Sequence, residues 1–146
     1  MTASIDQAVC NSFKAQLLDG DHDFSAAGGD VFKLALYQSN AVLNATTTVF
    51  TSTNEVGNTG TYVSGGGVLQ GQTVSLDGSV GIVDFADLSF TGVTLSALGA
   101  VIYNTSFGSN AAVCVLDFGA VKTATSGTFT ILFPAFTSAA AILRIA

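Results

Sequence analysis

Charge is what this sequence has least of. Charged residues fill only 10% of its 146 positions, and Lys and Arg together number four. An average soluble domain is about 25% charged. Lys14, Lys33, Lys122 and Arg144 are scattered along the chain. The clustered cations that grip a phosphate backbone are therefore missing, and so is a polybasic patch for an anionic membrane surface. Neither nucleic acid nor membrane is an expected partner. No window approaches the ~18 consecutive apolar residues of a spanning helix. The apolar stretch 135–146 is short and is interrupted by Thr137, Ser138 and Arg144. Residues 1–15 lack the basic start and continuous apolar stretch of a secretory signal, so synthesis and folding in the cytoplasm are expected. Tryptophan is absent and histidine occurs once, which narrows the chemistry open to the chain.

What is present is neutral and apolar. The apolar fraction is 49%. One domain of this length buries about 70% of the surface its unfolded chain exposes, enough for a core without cross-links. The exterior must then be built of Thr, Ser, Asn, Gly and apolar atoms, and wide neutral patches mark contacts with partners. An oligomer is the first expectation. Cys10 and Cys114 lie far apart in sequence, Cys10 in a helical pattern and Cys114 in an apolar strand pattern. Two buried free thiols are expected, since free cysteine packs as a small hydrophobe; a disulfide is the alternative that spacing alone leaves open.

Periodicity divides the chain into a helix and a long β region. Ile5, Val9, Phe13 and Leu17 recur every four residues. Ser4 is a candidate N-cap, with Gln7 completing a capping box and Asp6 in the first turn, where the helix dipole favours negative charge. Gly20 is a natural stop. This predicts an amphipathic helix over Ile5–Leu18, within an N-terminal unit of residues 1–20. Deleting that unit is expected to weaken attachment or assembly more than it disturbs the sheet.

From Val31 the period becomes two. Strands are expected at Val31–Tyr37, Thr46–Ser52, Tyr62–Val63, Val68–Gln70, Thr73–Leu76, Gly81–Phe85, Leu88–Leu95, Ala97–Tyr103, Ala111–Phe118, Thr128–Phe133 and Ala139–Ile145. Asp77-Gly78 is a hairpin signal, Gly65-Gly66-Gly67 marks a bend, bulge or close backbone approach, and Ser126-Gly127 separates two strands. With the two-residue Tyr62–Val63 set aside, about ten short strands at regular spacing are the pattern of an all-β sandwich or barrel. The expected fold is mainly β, a β-sandwich or jelly-roll-like pair of antiparallel sheets over residues 21–146, with one N-terminal amphipathic helix.

Candidate chemistry is sparse. His22 lies in Asp21-His22-Asp23, where a functional reading is a metal ligand or an oriented base. Zinc needs three or four ligands, and no second histidine exists to join it. Asp84, Asp87 and Asp117 lie in or beside strands; a glycosidase would set two carboxyl groups across a cleft, and the ordinary reading is that they bond turn amides. Asp19, Asp21, Asp23 and Asp30 crowd one loop and could hold calcium, although the EF-hand spacing fails. Tyr37, Tyr62 and Tyr103 could form a sugar-stacking platform. No Gly-x-Ser-x-Gly elbow and no phosphate loop occurs. No residue is assigned as catalytic, cofactor-binding or metal-ligating, and no cofactor is expected.

Several short pieces in fixed order carry a resemblance. Leu17-Leu18-Asp19-Gly20-Asp21-His22-Asp23-Phe24 precedes Phe32-Lys33-Leu34-Ala35-Leu36-Tyr37 and the Thr-rich Thr46–Thr51. Asn54-Glu55-Val56, Gly60-Thr61-Tyr62 and Gly65-Gly66-Gly67 follow. Then come Val83-Asp84-Phe85-Ala86-Asp87, Ala100-Val101-Ile102-Tyr103-Asn104, Leu116-Asp117-Phe118-Gly119 and Thr128-Phe129-Thr130-Ile131-Leu132-Phe133-Pro134. From about Leu17 onward this order resembles small virion structural proteins of tailed bacteriophages. The resemblance implies a non-enzymatic capsid decoration or cement protein, a homotrimer bound to the major capsid protein and located in the virion. A tail, head-fibre or head–tail joining component is the alternative placement, and a glycan-binding β-sandwich module the alternative function.

Overall fold

The chain is mainly β, with two antiparallel sheets and one short helix. A computed structural model describes residues 4–146; the first three residues of the expected N-terminal unit lie outside it. In chain order the elements are β1 (Ala8–Val9), α1 (Asn11–Leu18), β2 (Phe32–Tyr37), β3 (Gly67–Val68), β4 (Thr73–Asp77), β5 (Val80–Asp84), β6 (Leu88–Asn104), β7 (Ala111–Ile131) and β8 (Leu143–Ile145). The larger sheet has the order β1-β7-β6-β2-β3 and the smaller β4-β5-β8.

The helix is shorter than its apolar stripe suggested. It begins at Asn11, with Cys10 as an extended N-cap residue that makes no side-chain cap. Residues 4–9 are extended instead. Ile5 bridges Leu43, the Asp6 amide donates to the Leu43 carbonyl at 2.8 Å, and Ala8 and Val9 pair with Val115 and Cys114. A spacing of four satisfies a strand's period of two as well as a helical turn, and the ladder partners decide. At the other end Gly20 acts as expected. With φ +79, it lets its amide reach Leu17 and that of Asp21 reach Gln16, a Schellman closure. Ile5, Cys10 and Phe13 all belong to the main core. The helix expected over Ile5–Leu18 is therefore corrected to Asn11–Leu18, and the segment before it packs as extended chain on the sheet.

The strands are fewer and two are far longer than expected. β6 has 17 residues and β7 has 21, where sequence suggested two short strands each. The breaks are bulges: the ladder shifts register between Phe90 and Val93, Val93 and Leu95, Ala97 and Gly99, and Ile102 and Tyr103. Gly119 and Ser126 take positive φ inside β7 without ending it, as bulge residues do. Thr46–Ser52 is not a strand. Asn44 and Thr47 close a turn through Thr47 N to Asn44 O at 3.0 Å and Asn44 N to the Thr47 hydroxyl at 3.1 Å. Threonine hydroxyls compete for backbone groups in this way, and only Val49 bridges to Ala111. The last strand shrinks to Leu143–Ile145 because Thr137–Ala141 forms a turn.

The core lies along β2 and the adjoining halves of β6 and β7. Phe32, Leu34, Ala35, Leu36 and Tyr37 are fully buried, as are Ala100, Ile102, Ala112, Val113 and Val115. This matches the two covered apolar runs seen in sequence. Burying the Phe, Leu, Ile and Val side chains among these contributes roughly 1.5–3 kcal/mol each. The glycine triplet is a close approach: a Cβ on Gly66, which has φ +86, would overlap the Leu34 carbonyl.

Candidate functional site

Three places gather polar or apolar groups beyond ordinary packing. The first is a polar centre around Glu55, which sequence did not single out as a functional position. Its carboxylate is buried and accepts from the Tyr62 hydroxyl at 2.7 Å, the Ser64 hydroxyl at 2.9 Å and the Gly65 amide at 2.7 Å. The Tyr62 oxygen in turn accepts from the Leu36 amide at 2.8 Å. Tyr37 donates to the Thr51 carbonyl at 2.6 Å, and Tyr103 donates to the Gly65 carbonyl. The three tyrosines thus pin the 51–65 segment to β2 and β6. Burial pushes the Tyr103 phenol up to about 12 and those of Tyr37 and Tyr62 further, Tyr62 helped by its bond to Glu55. The rings are buried, so the sugar-stacking platform considered from sequence does not exist.

The second place is His22. The ring is buried and lies against Phe13, Phe32 and Phe107. Its Nδ1 is 3.0 Å from Asn104 Nδ2, and its Nε2 is 2.8 Å from Gln16 Oε1. Asn104 is held in one orientation, because its Oδ1 accepts from the Ser106 amide and its Nδ2 also donates to Asp30. Nδ1 of His22 must therefore accept, and the proton sits on Nε2. Burial lowers the imidazole's pKa, against a raising influence from Asp30 and then Asp21. A ring with both nitrogens engaged inside an aromatic cage locks the 21–30 loop to α1 and the end of β6.

The remaining sequence candidates are not brought together. Asp87 accepts from the Phe133 amide at 2.8 Å and Asp117 from the Gly119 amide at 2.8 Å, the turn-bonding role expected of them. Asp84 lies in β5 of the small sheet, whereas Asp117 lies in the large one. In the acidic loop Asp23 accepts from the Ser25 amide and Asp30 from the Asp23 amide, each at 2.9 Å. Among the described residues, no three His, Cys, Asp or Glu side chains converge as a metal site would require. Cys10 and Cys114 are free and buried. The ladder sets Cys114 opposite Val9, not Cys10.

The third place is apolar. The β4–β5 ladder sets Val74 opposite Val83 and Leu76 opposite Gly81, and β8 continues the rows with Leu143 and Ile145. Side chains alternate along a strand, so these six positions share one face, and that face carries no polar side chain. Its inner part, Val83 and Leu143, packs on the core. Its outer part stays open: Val74, Leu76 and Ile145 are 56, 71 and 61% exposed. Between this face and α1 runs an apolar groove of about 670 Å³, lined by Phe13, Leu17, Leu18, Phe24, Val83 and Ile145 among others. Leu18 at its rim is 90% exposed. Together they make one exposed apolar surface on a chain poor in charge.

No protein-family model matches the chain, and neither a curated protein nor a solved structure matches it.

Proposed function

We propose that the chain is a non-enzymatic structural protein of a bacteriophage virion, a capsid decoration or cement protein that self-associates and binds the coat-protein shell. One observation carries the reading: the open apolar face of the small sheet, continuous with the groove beside α1, on a chain with only four cations. Such a surface suits dry contact with neighbouring subunits. A symmetric shell offers many identical sites, and modest affinities add when several are engaged together. The resemblance to small phage head proteins points the same way and implies a homotrimer seated where coat subunits meet. The two titratable groups best placed for chemistry, Glu55 and His22, support a scaffold over a catalyst. Glu55 and His22 have their polar atoms engaged by other residues of the chain, leaving neither free to act on a substrate.

Electron cryomicroscopy of particles made with and without the chain tests this. The expected result is density for the chain on the outer shell, at positions repeated by the shell's symmetry, and lower resistance to heat or chelation in particles lacking it. Density confined to the tail, fibres or head–tail joint would move the protein to the alternative placement. Particles that never contain it would overturn the reading.

A further inference from the structure

We infer that β4 is a self-pairing edge: two copies of this chain join their small sheets by antiparallel β4–β4 pairing about a twofold axis centred on Ser75. The inference deepens the reading of the chain as self-associating and is independent of which shell it binds.

The geometry begins at the hairpin. Asp77 pairs with Val80 across the two residues Gly78 and Ser79, and of the two only Gly78 has positive φ. This is the sign pattern of a type II′ turn. A two-residue hairpin closes on a hydrogen-bonded pair, and such pairs alternate along an antiparallel ladder. Thr73, Ser75 and Asp77 therefore turn their backbone groups toward β5. The N–H and C=O groups of Val74 and Leu76 point away from the sheet. β4 is an outer strand, and among the described residues none of its backbone groups bonds beyond β5 to another backbone group. The Leu76 carbonyl takes only a long 3.4 Å contact from the Ser75 hydroxyl.

A second copy is the occupant that this edge fits. A twofold axis perpendicular to a sheet pairs residue i with residue j of the other copy at a constant, even sum. Centred on Ser75, it sets Val74 against the other copy's Leu76, and Leu76 against its Val74. These are the residues whose backbone groups are free, so four new hydrogen bonds form with none left over. The same register continues the apolar face across the junction. It also sets Asp77, the one charge on the strand, against the other copy's Thr73, so no like charges meet. All five β4 residues are exposed. The strand has no lysine, proline or bulge, three of the devices that guard natural edges. The contrast with β7 is direct, since that strand's long outer edge is broken by bulges and carries Lys122. The β4 contact is smaller than a standard ~1,600 Å² interface, so the pair exchanges with its free copies, and several contacts on a shell reinforce it. A twofold contact gives even-numbered species: a dimer alone, or a hexamer where trimers form through other surfaces.

The test is cross-linking together with sedimentation. Ser75 from each copy would form a pair without hydrogen bonds, Cα atoms about 4.5 Å apart, which a disulfide spans. The two natural thiols are buried. Ser75→Cys is expected to give a disulfide-linked species of twice the 14.8 kDa chain mass under mild oxidation, while Thr125→Cys on the exposed β7 edge stays monomeric on a reducing-agent-free gel. Leu76→Lys, at a position 71% exposed, is expected to leave the unfolding transition unchanged and to weaken self-association at least about tenfold in sedimentation equilibrium. If the natural chain associates but Leu76→Lys has no effect and Ser75→Cys links no better than Thr125→Cys, the β4 assignment is wrong while self-association stands. A natural chain that remains monomeric at hundreds of micromolar overturns both.

Discussion

At the residue scale, three side chains carry consequences that can be measured. The neutral form of His22 fits the fold, its Nδ1 accepting from an Asn104 amide that two other bonds, to Asp30 and from the Ser106 amide, hold in place. Its pKa is lowered below the ordinary 6.5, burial outweighing Asp30 and Asp21. The unfolded state thus binds more protons as pH falls, and the stability tied to neutral His22 is complete above about pH 6.5 and lost progressively below it. Urea midpoints recorded from pH 7.5 to 5 should fall in the natural chain and fall less in His22→Gln. Equal slopes would mean that the ring contributes nothing. The thiols give a second outcome. Burial pushes Cys10 up to about 11 and Cys114 further, and the thiolate is the reactive form. Both should resist a thiol reagent at pH 8 in the folded chain and react fully in urea. Third, Gly66→Ala should prevent stable folding, because the new methyl would meet the Leu34 carbonyl and φ +86 disfavours any side chain. Circular dichroism melts would read this directly.

At the scale of elements, the N-terminal segment changes role once its partners are known. Phe13 touches Phe24 and His22 and is buried in the main core. Phe13→Ala should cost about 3–5 kcal/mol of stability, as ring deletions in cores do, seen as a lower urea midpoint with an unchanged slope. Deleting residues 1–20 should destabilise the whole domain for the same reason. Much here was legible in sequence. Gly20 stops the helix, Asp77-Gly78 turns a hairpin, and the runs Ala97–Tyr103 and Ala111–Phe118 are covered on both faces over most of their length. What was not legible has physical causes. Ile5 and Val9 fit two periods at once. Gly119 and Ser126-Gly127 carry the composition of strand ends, yet a long neighbouring strand absorbs them as bulges. The Glu55 centre joins Leu36, Tyr62, Ser64 and Gly65, and no local spacing announces a buried carboxylate that takes one backbone amide directly and reaches a second through a tyrosine hydroxyl. The tyrosines read as a surface platform because an amphipathic ring suits the interior as well as the exterior.

At the scale of the whole molecule, scarcity of charge and an open apolar face are two views of one property. A chain with net charge −6 and few cations has little electrostatic means of choosing partners. Its contacts must come from shape, backbone hydrogen bonds and apolar area. Association of that kind responds to salt in a way opposite to ion pairing. Screening weakens attraction between opposite charges and also relieves the repulsion between two acidic copies, while sulfate strengthens apolar burial. The most direct test is sedimentation velocity of the natural chain over a concentration series, at low salt and again in high sodium sulfate. Reversible self-association that persists or strengthens with salt is the predicted result. A chain that sediments as a monomer throughout, or whose oligomers dissolve as salt rises, would contradict the account.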